Sequence, residues 1–171
     1  KTGFNEAFVI TTDKRNEILA NCQTEDERTR TAELIRPILR GRDIKRYSYD
    51  WANLWLINTH NGIKGKIPRI QIENYPAIKA HLDQYWEKIS TRADKGDTPY
   101  NLRNCAYMED FSKPKIVWGE ISDKSKFAFD FLGEYIPEAT TFYLNGEYIE
   151  YLLTALNSSV SEWLFSKTGT T

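Results

Sequence analysis

The chain is poor in the residues that build metal and redox sites. Among its 171 residues are only two cysteines, Cys22 and Cys105, and two histidines, His60 and His81, each isolated from the others. Cysteines without paired spacing exclude a Cys-rich zinc site and a disulfide framework, and isolated histidines are read as ordinary residues. Long apolar runs are also missing. No stretch approaches the ~18 residues of a membrane helix, and no signal peptide is visible, so the expectation is a cytoplasmic chain with no membrane partner. Catalytic signatures are scarce as well. There is no GxxxxGK[ST] phosphate loop, no GxGxxG and no Gly-x-Ser-x-Gly elbow. A glycine-rich cofactor loop with an Asn-Pro-Pro-Tyr or Asp-Pro-Pro-Tyr corner is likewise absent. Neither repeats nor low-complexity tracts occur.

What is present is globular. Hydrophobic residues make up 40% and aromatics 13%, and the length suits one domain with a sizeable core. Ten Tyr and five Trp can serve a core or a recognition surface. The net charge of -1 excludes a generic polyanion binder, but the charge is unevenly placed. Residues 36–69 hold eight Lys/Arg against two acids, a local +6, so the remainder carries -7. Within this region Arg36, Arg40, Arg42, Lys45 and Arg46 fall close together around Gly41, opposed only by Asp43. Clustered Arg and Lys attract a phosphate backbone, and Arg can read guanine with two hydrogen bonds. A plain solvated loop is the competing interpretation.

The local patterns give an α+β domain: a mixed, mostly antiparallel sheet of short strands with three or four helices. Ala7 to Thr11 reads as a buried strand. Thr12 or Asp13 caps a helix running to about Asn21. Thr24 and Glu27 form a capping box for a second helix ending near Ile35, limited by Pro37. Leu54–Ile57 reads as a central strand, and Asn61-Gly62 as a turn into a flexible basic loop, 62–69. Pro76 opens a helix with Ile78, Leu82, Tyr85 or Trp86, and Ile89 on its core face. Residues 114–121 form the clearest strand. Residues 127–131 are expected to pair in a hairpin with 133–136, and 141–144 form another strand. A last helix, about Glu147 to Phe165, is expected to bury Tyr151, Leu152, Ala155, Leu156 and Trp163. The five tryptophans are read as packing residues. The ends, with no initiator Met and a helical pattern running nearly to the C-terminus, lead us to expect that 1–171 is excised from a longer protein.

A metal-dependent nuclease needs paired carboxylates and often a nearby Lys. Asp43-Ile44-Lys45 supplies only a fragment of that, with no identifiable upstream acid and with Arg42 and Arg46 crowding any metal. The plain role of Asp43 is to buttress the neighbouring arginines. We therefore expect no catalytic residue and no metal.

Several segments, in order, resemble a known family. They are Lys1 to Ile10, Ile35 to Tyr47 (IRPILRGRDIKRY), Trp55 to Ile57, Tyr75 to Leu82, Leu102-Arg103, Lys113 to Val117, and Tyr151 to Ser158. Together these are similar to the TaqI-like C-terminal specificity domain. The chain departs from that pattern at Pro99-Tyr100-Asn101 and at Pro137 to Thr141. The resemblance implies a target-recognition domain of a type IIG-like restriction–modification enzyme or an adenine-specific DNA methyltransferase. An upstream domain of the same polypeptide would bind S-adenosylmethionine and methylate adenine. This segment would be no enzyme and hold no cofactor of its own, while the parent is expected to methylate DNA, with an endonuclease activity an open addition. Residues of about 147–166 look like the start of a C-terminal spacer helix.

The resemblance also suggests partners and sites. Duplex DNA is the expected partner, with the methyltransferase domain. Lys1, Thr2 and Asn5 lie where the family motif begins a loop, although Gly3 and Asn5 can simply shape a turn. Arg40, Arg42, Lys45 and Arg46 are the leading phosphate or base contacts. Lys64, Lys66 and Arg69 form a second basic loop, and two such loops can clamp a duplex. Tyr100 and Arg103 are placed toward the groove. Two other classes compete: a protein-interaction module docking its aromatic surface on a methyltransferase subunit, and a small nuclease using Asp43.

Overall fold

The computed structural model describes residues 2–120, 122 and 124–168, except the Thr168 side chain. The chain is α+β, with short strands in mixed and antiparallel sheets. Contacts gather it into two compact units: residues 1–37 with 53–107, and residues 38–52 with 108–171.

The first unit begins with a single helical turn, α1 (Asn5–Phe8), which leads into β1 (Val9–Thr11). The expected strand from Ala7 is therefore shorter, because Ala7 and Phe8 are buried from a helical turn. α2 (Thr12–Ala20) is capped one residue earlier than expected, by the Thr11 hydroxyl accepting from the Lys14 N–H. α3 (Glu25–Leu34) starts at the Thr24 cap, as the sequence suggests. The Glu27 side chain does not close the box on Thr24; it accepts from the N–H groups of Gln23 at 2.9 Å and Ala77 at 3.1 Å, tying two helix starts together. β2 (Ile35–Leu39) follows directly, so the apolar residues around Pro37 form a strand and not merely a helix end. β3 (Leu54–Ile57) lies between β1 and β2 and is antiparallel to both, in the registers Ile10↔Trp55 and Arg36↔Leu56.

The expected single helix after Pro76 comes as two, α4 (Pro76–Asp83) and α5 (Trp86–Thr91). Ile78, Leu82 and Ile89 are buried along them, while Trp86 stays exposed. Phe8, Ile35, Ile57, Ile78, Leu82 and Ile89 are the largest fully buried apolar side chains described in this unit. Arg92 is buried with them. Its guanidinium donates to the carbonyls of Thr2, Asp94, Pro99 and Asn101 and covers the Phe8 ring. These bonds pin the chain start to the 92–101 loop.

The second unit takes up the chain at Ile38. Its sheet is β5-β4-β7, formed by β4 (Lys115–Gly119), β5 (Ala128–Asp130) and β7 (Thr141–Leu144), with β4 central and antiparallel to both neighbours. β6 (Ile136–Pro137) pairs parallel with Ile38 and Leu39. The expected hairpin between 127–131 and 133–136 does not form, because β5 takes β4 as its partner. The cause is a buried ion pair. Lys115 Nζ donates to Asp130 Oδ2 at 2.5 Å, and both side chains are almost fully buried. The Asp130 carboxylate also accepts from the N–H groups of Glu134 and Tyr135, so it turns the chain away from β5. Leu39, Ile44, Val117 and Ala128 form the core here, flanked by Tyr49, Tyr135 and Tyr143.

The C-terminal helix is also interrupted, into α6 (Ile149–Leu156) and α7 (Ser159–Thr168). The break falls at Asn157, whose buried side chain bonds both backbone groups of Phe127. Its expected core face is corrected: Ile149 is buried, but Tyr151 is 79% and Trp163 62% exposed, and Ala155 is exposed. The two interruptions, together with the unexpected helical turn α1, explain why seven α-helical segments occur among the described residues where the sequence suggests three or four. Among the described residues no helix is long and apolar enough to cross a membrane.

Candidate nucleic-acid interface

In the second unit, residues Gly41–Asp43 close a single 3-10 turn after β2. Gly41 is required by close approach: a Cβ there would stand 2.6 Å from the Thr140 carbonyl oxygen and 2.9 Å from the Gly119 Cα. The turn sorts the basic residues by direction. Arg40 points inward and donates to Asp43 through Nε at 2.8 Å and Nη2 at 2.7 Å. Asp43 also accepts from the Arg40 backbone N–H at 3.3 Å. The Asp43 side chain is only 7% exposed and that of Arg40 23%. The hydrogen bonds to Asp43 raise the Arg40 pKa further. Arg42, Lys45 and Arg46 are exposed. Among the described residues the Lys45 ammonium makes a long contact, 3.8 Å, to the exposed Asp50. Arg46 donates to the Asn157 carbonyl, which holds its guanidinium in place without cancelling its charge. Tyr47 follows with φ of 65°, a left-handed conformation unfavourable for an aromatic residue. Its N–H donates to the Phe127 carbonyl at 2.9 Å, and its exposed ring lies 5.7 Å from the Arg46 guanidinium.

In the first unit, the second basic loop is a compact turn. Ile63 and Ile67 pair across it, and Gly62 suits the turn on two counts: its φ is 74°, and a Cβ there would meet the Ile67 carbonyl oxygen at 2.3 Å. The Gly62 N–H donates to His60 Nδ1 at 3.2 Å. Burial lowers the His60 pKa, which keeps that nitrogen available as an acceptor. Residues 61–69 line an open cavity of about 690 Å³ together with Asp97, Asn104, Cys105 and Ala106. Lys64 and Lys66 are exposed on its rim, and Arg69 donates to Asp97 at 3.4 Å.

A family model matches residues 36–171, from the β2 strand through the end of the chain and well over half its length. It is the TaqI-like C-terminal specificity domain. The chain belongs to that family. No curated protein matches the chain. The matched range contains both basic loops and begins after the first ten residues, which also carry part of the resemblance. Membership in the TaqI-like family points to sequence-specific DNA recognition in restriction–modification systems.

Within this TaqI-like chain the remaining candidate residues lie as follows. Lys1 is outside the described residues. Thr2 is buried and hydrogen-bonded to the Asn5 side chain, while Asn5 is exposed. Tyr100 donates its hydroxyl to Asp83 at 2.6 Å and packs on the exposed Trp86. Arg103 is exposed and pairs with Asp94 at 3.2 Å. Asp43 has both oxygens engaged by Arg40, the buttressing role read from the sequence. Among the described residues no three His, Cys, Asp or Glu side chains cluster as metal ligands. Two features escaped the sequence: the left-handed backbone at Tyr47, and the network of Asn61, Asp97 and Asn104 in the cavity. No local signal marks the first, because aromatic residues are disfavoured at positive φ. The second joins residues 36 and more positions apart, so no local pattern marks it.

Proposed function

We propose that this chain recognises a site in duplex DNA for a restriction–modification enzyme or adenine-specific DNA methyltransferase. It positions that site for a catalytic domain upstream in the same polypeptide. In this reading the parent has a type IIG-like arrangement, the upstream domain carries S-adenosylmethionine, and the chain works in the cytoplasm without a cofactor of its own. The supporting observation is the sorted charge at residues 40–47. Asp43 takes Arg40, while Arg42, Lys45 and Arg46 remain exposed on one short loop. A cation cluster in water next to a phosphate backbone releases counterions on binding, and affinity then falls steeply with salt.

Binding of the 171-residue chain to labelled duplex DNA across a salt series tests this reading. A linear fall of log affinity with log salt supports it. Salt-independent binding, or none, removes it. A second reading rests on the exposed apolar residues Tyr148, Tyr151, Val160, Trp163 and Leu164. It makes the chain a docking module for a methyltransferase subunit, and predicts no affinity for duplex DNA.

A further inference from the structure

The cavity in the first unit holds an arrangement unlike a simple phosphate cradle. Asn61 uses all of its side-chain hydrogen-bonding groups internally. Its Nδ2 donates to Asp97 Oδ1 at 3.0 Å and to Asn104 Oδ1 at 2.5 Å, and its Oδ1 accepts from the Asp97 N–H at 2.9 Å. Asp97 in turn accepts from Arg69. The chain Arg69–Asp97–Asn61–Asn104 therefore fixes the rotamers of its two ends. What those ends leave open is specific. Arg69 has five donors and gives one to Asp97. Asn104 keeps both amide hydrogens and a second lone pair on Oδ1, since its only side-chain bond among the described residues is the one from Asn61.

A phosphate offers acceptors only. The Asp97 carboxylate, 62% exposed in the same cavity, repels it, and the acceptor of Asn104 finds no partner on it. A base edge offers donors and acceptors together. An Asn amide matches adenine N6 and N7, and an Arg fork matches guanine O6 and N7. Resting on the DNA-recognition reading above, we propose that this cavity is a base-reading site for purine edges, with Asn104 specifying adenine and Arg69 specifying guanine. Lys64, on the rim, supplies attraction to the backbone.

The test is selection of bound sequences from a random duplex library at fixed salt, with the 171-residue chain and four variants. Wild type enriches a motif containing purines. Arg69→Lys keeps the charge and loses the fork; total affinity stays within about twofold while preference at one guanine drops roughly tenfold. Asn104→Ala flattens an adenine position by a similar factor. Asn104→Asp is nearly isosteric and guards against misfolding. It replaces the donor pair with acceptors, so the selected base moves from adenine toward cytosine. Lys64→Ala weakens all sequences alike and leaves the motif unchanged. The proposal is overturned if Arg69→Lys and the Asn104 variants return the wild-type motif. Equal weakening of every sequence by Arg69→Lys also overturns it, as does a wild type that binds duplex without selecting any motif. These outcomes leave DNA binding itself intact, whereas absence of any duplex binding overturns the underlying reading together with the site.

Discussion

Replacing Arg40 and Arg42 one at a time separates two roles that the sequence cannot distinguish. Arg40→Ala removes two charge-assisted bonds, at 2.7 and 2.8 Å, from a carboxylate only 7% exposed. Asp43 is left with one backbone N–H at 3.3 Å. Breaking a buried ion pair by removing one partner costs ~3–5 kcal/mol. The Arg40 side chain is 23% exposed, so water reaches part of the vacated space. The expected loss is therefore lower, about 2–3 kcal/mol. For a chain of this size each kcal/mol shifts the melting temperature by ~2–4 °C, which gives a fall of about 4–12 °C. Arg42→Ala, at an exposed position, is expected to change stability by less than about 0.5 kcal/mol. Its effect belongs to DNA binding. Losing one phosphate contact lowers the salt slope by ~0.9, so the affinity ratio between 50 and 200 mM salt shrinks by about 3.5-fold. Thermal unfolding and salt-series binding, measured on both variants below their melting temperatures, form the assay. The reasoning fails if Arg40→Ala melts like wild type and flattens the salt slope, because Arg40 would then face the DNA and not Asp43.

Two further predictions concern the frame that holds these loops. Lys115→Met leaves the buried Asp130 carboxylate without its cation, and denaturant unfolding should show a loss of ~3–5 kcal/mol, with a loss under about 1 kcal/mol counting against the ion pair as the organiser of the β5 end. Acidification should also destabilise the chain. Burial lowers the pKa of His60 and His81 below the ordinary 6.5, and His81 Nε2 is hydrogen-bonded to the Ala7 carbonyl oxygen at 3.0 Å. A depressed folded-state value means stability that is complete above 6.5 and lost as pH falls through the folded value, by at most ~1.4 kcal/mol per group per pH unit. Melting temperatures should hold between pH 8 and 7 and decline toward pH 5, and a His60→Gln/His81→Gln variant should show a flatter decline; an equally steep one would place the effect elsewhere.

The sequence discloses elements whose cause is local. The Thr24 cap, Pro76 at a helix start, the apolar run of β3 and the strand at 115–119 each form where their residues indicate, because caps, fixed φ and apolar period act over a few positions. It conceals elements whose cause is remote. β5 leaves its sequence neighbour for β4 because Lys115 and Asp130 pair inside the core, 15 positions apart. The C-terminal helix breaks because Asn157 is drawn to Phe127, 30 positions away. Periodicity over 147–165 could show which residues share a face. It could not show that the face would remain in solvent at Tyr151 and Trp163. The candidate site divides in the same way: the basic composition of 40–46 is plain in the sequence, while the direction of each side chain depends on a single buried acid.

That acid changes how the local charge should be counted. A guanidinium bonded to a carboxylate is fixed and neutralised, as Arg40 is by Asp43. One bonded to a carbonyl is fixed and keeps its charge, as Arg46 does on Asn157. The first kind shapes the loop; the second leaves a positioned cation at an exposed residue. Positioning matters energetically, since ordering a long side chain on binding costs ~0.5–1.5 kcal/mol, and a guanidinium already held avoids part of that cost. Tyr47 belongs to the same logic. Its left-handed backbone costs on the order of 1 kcal/mol and is held by the Phe127 carbonyl, beside the Asn157 that holds Arg46. One buried asparagine and the residue before β5 thus hold an exposed cation and the backbone of an exposed aromatic residue. A loop built only to be solvated has no need of that arrangement, whereas a loop that must meet a rigid, charged duplex in one orientation does.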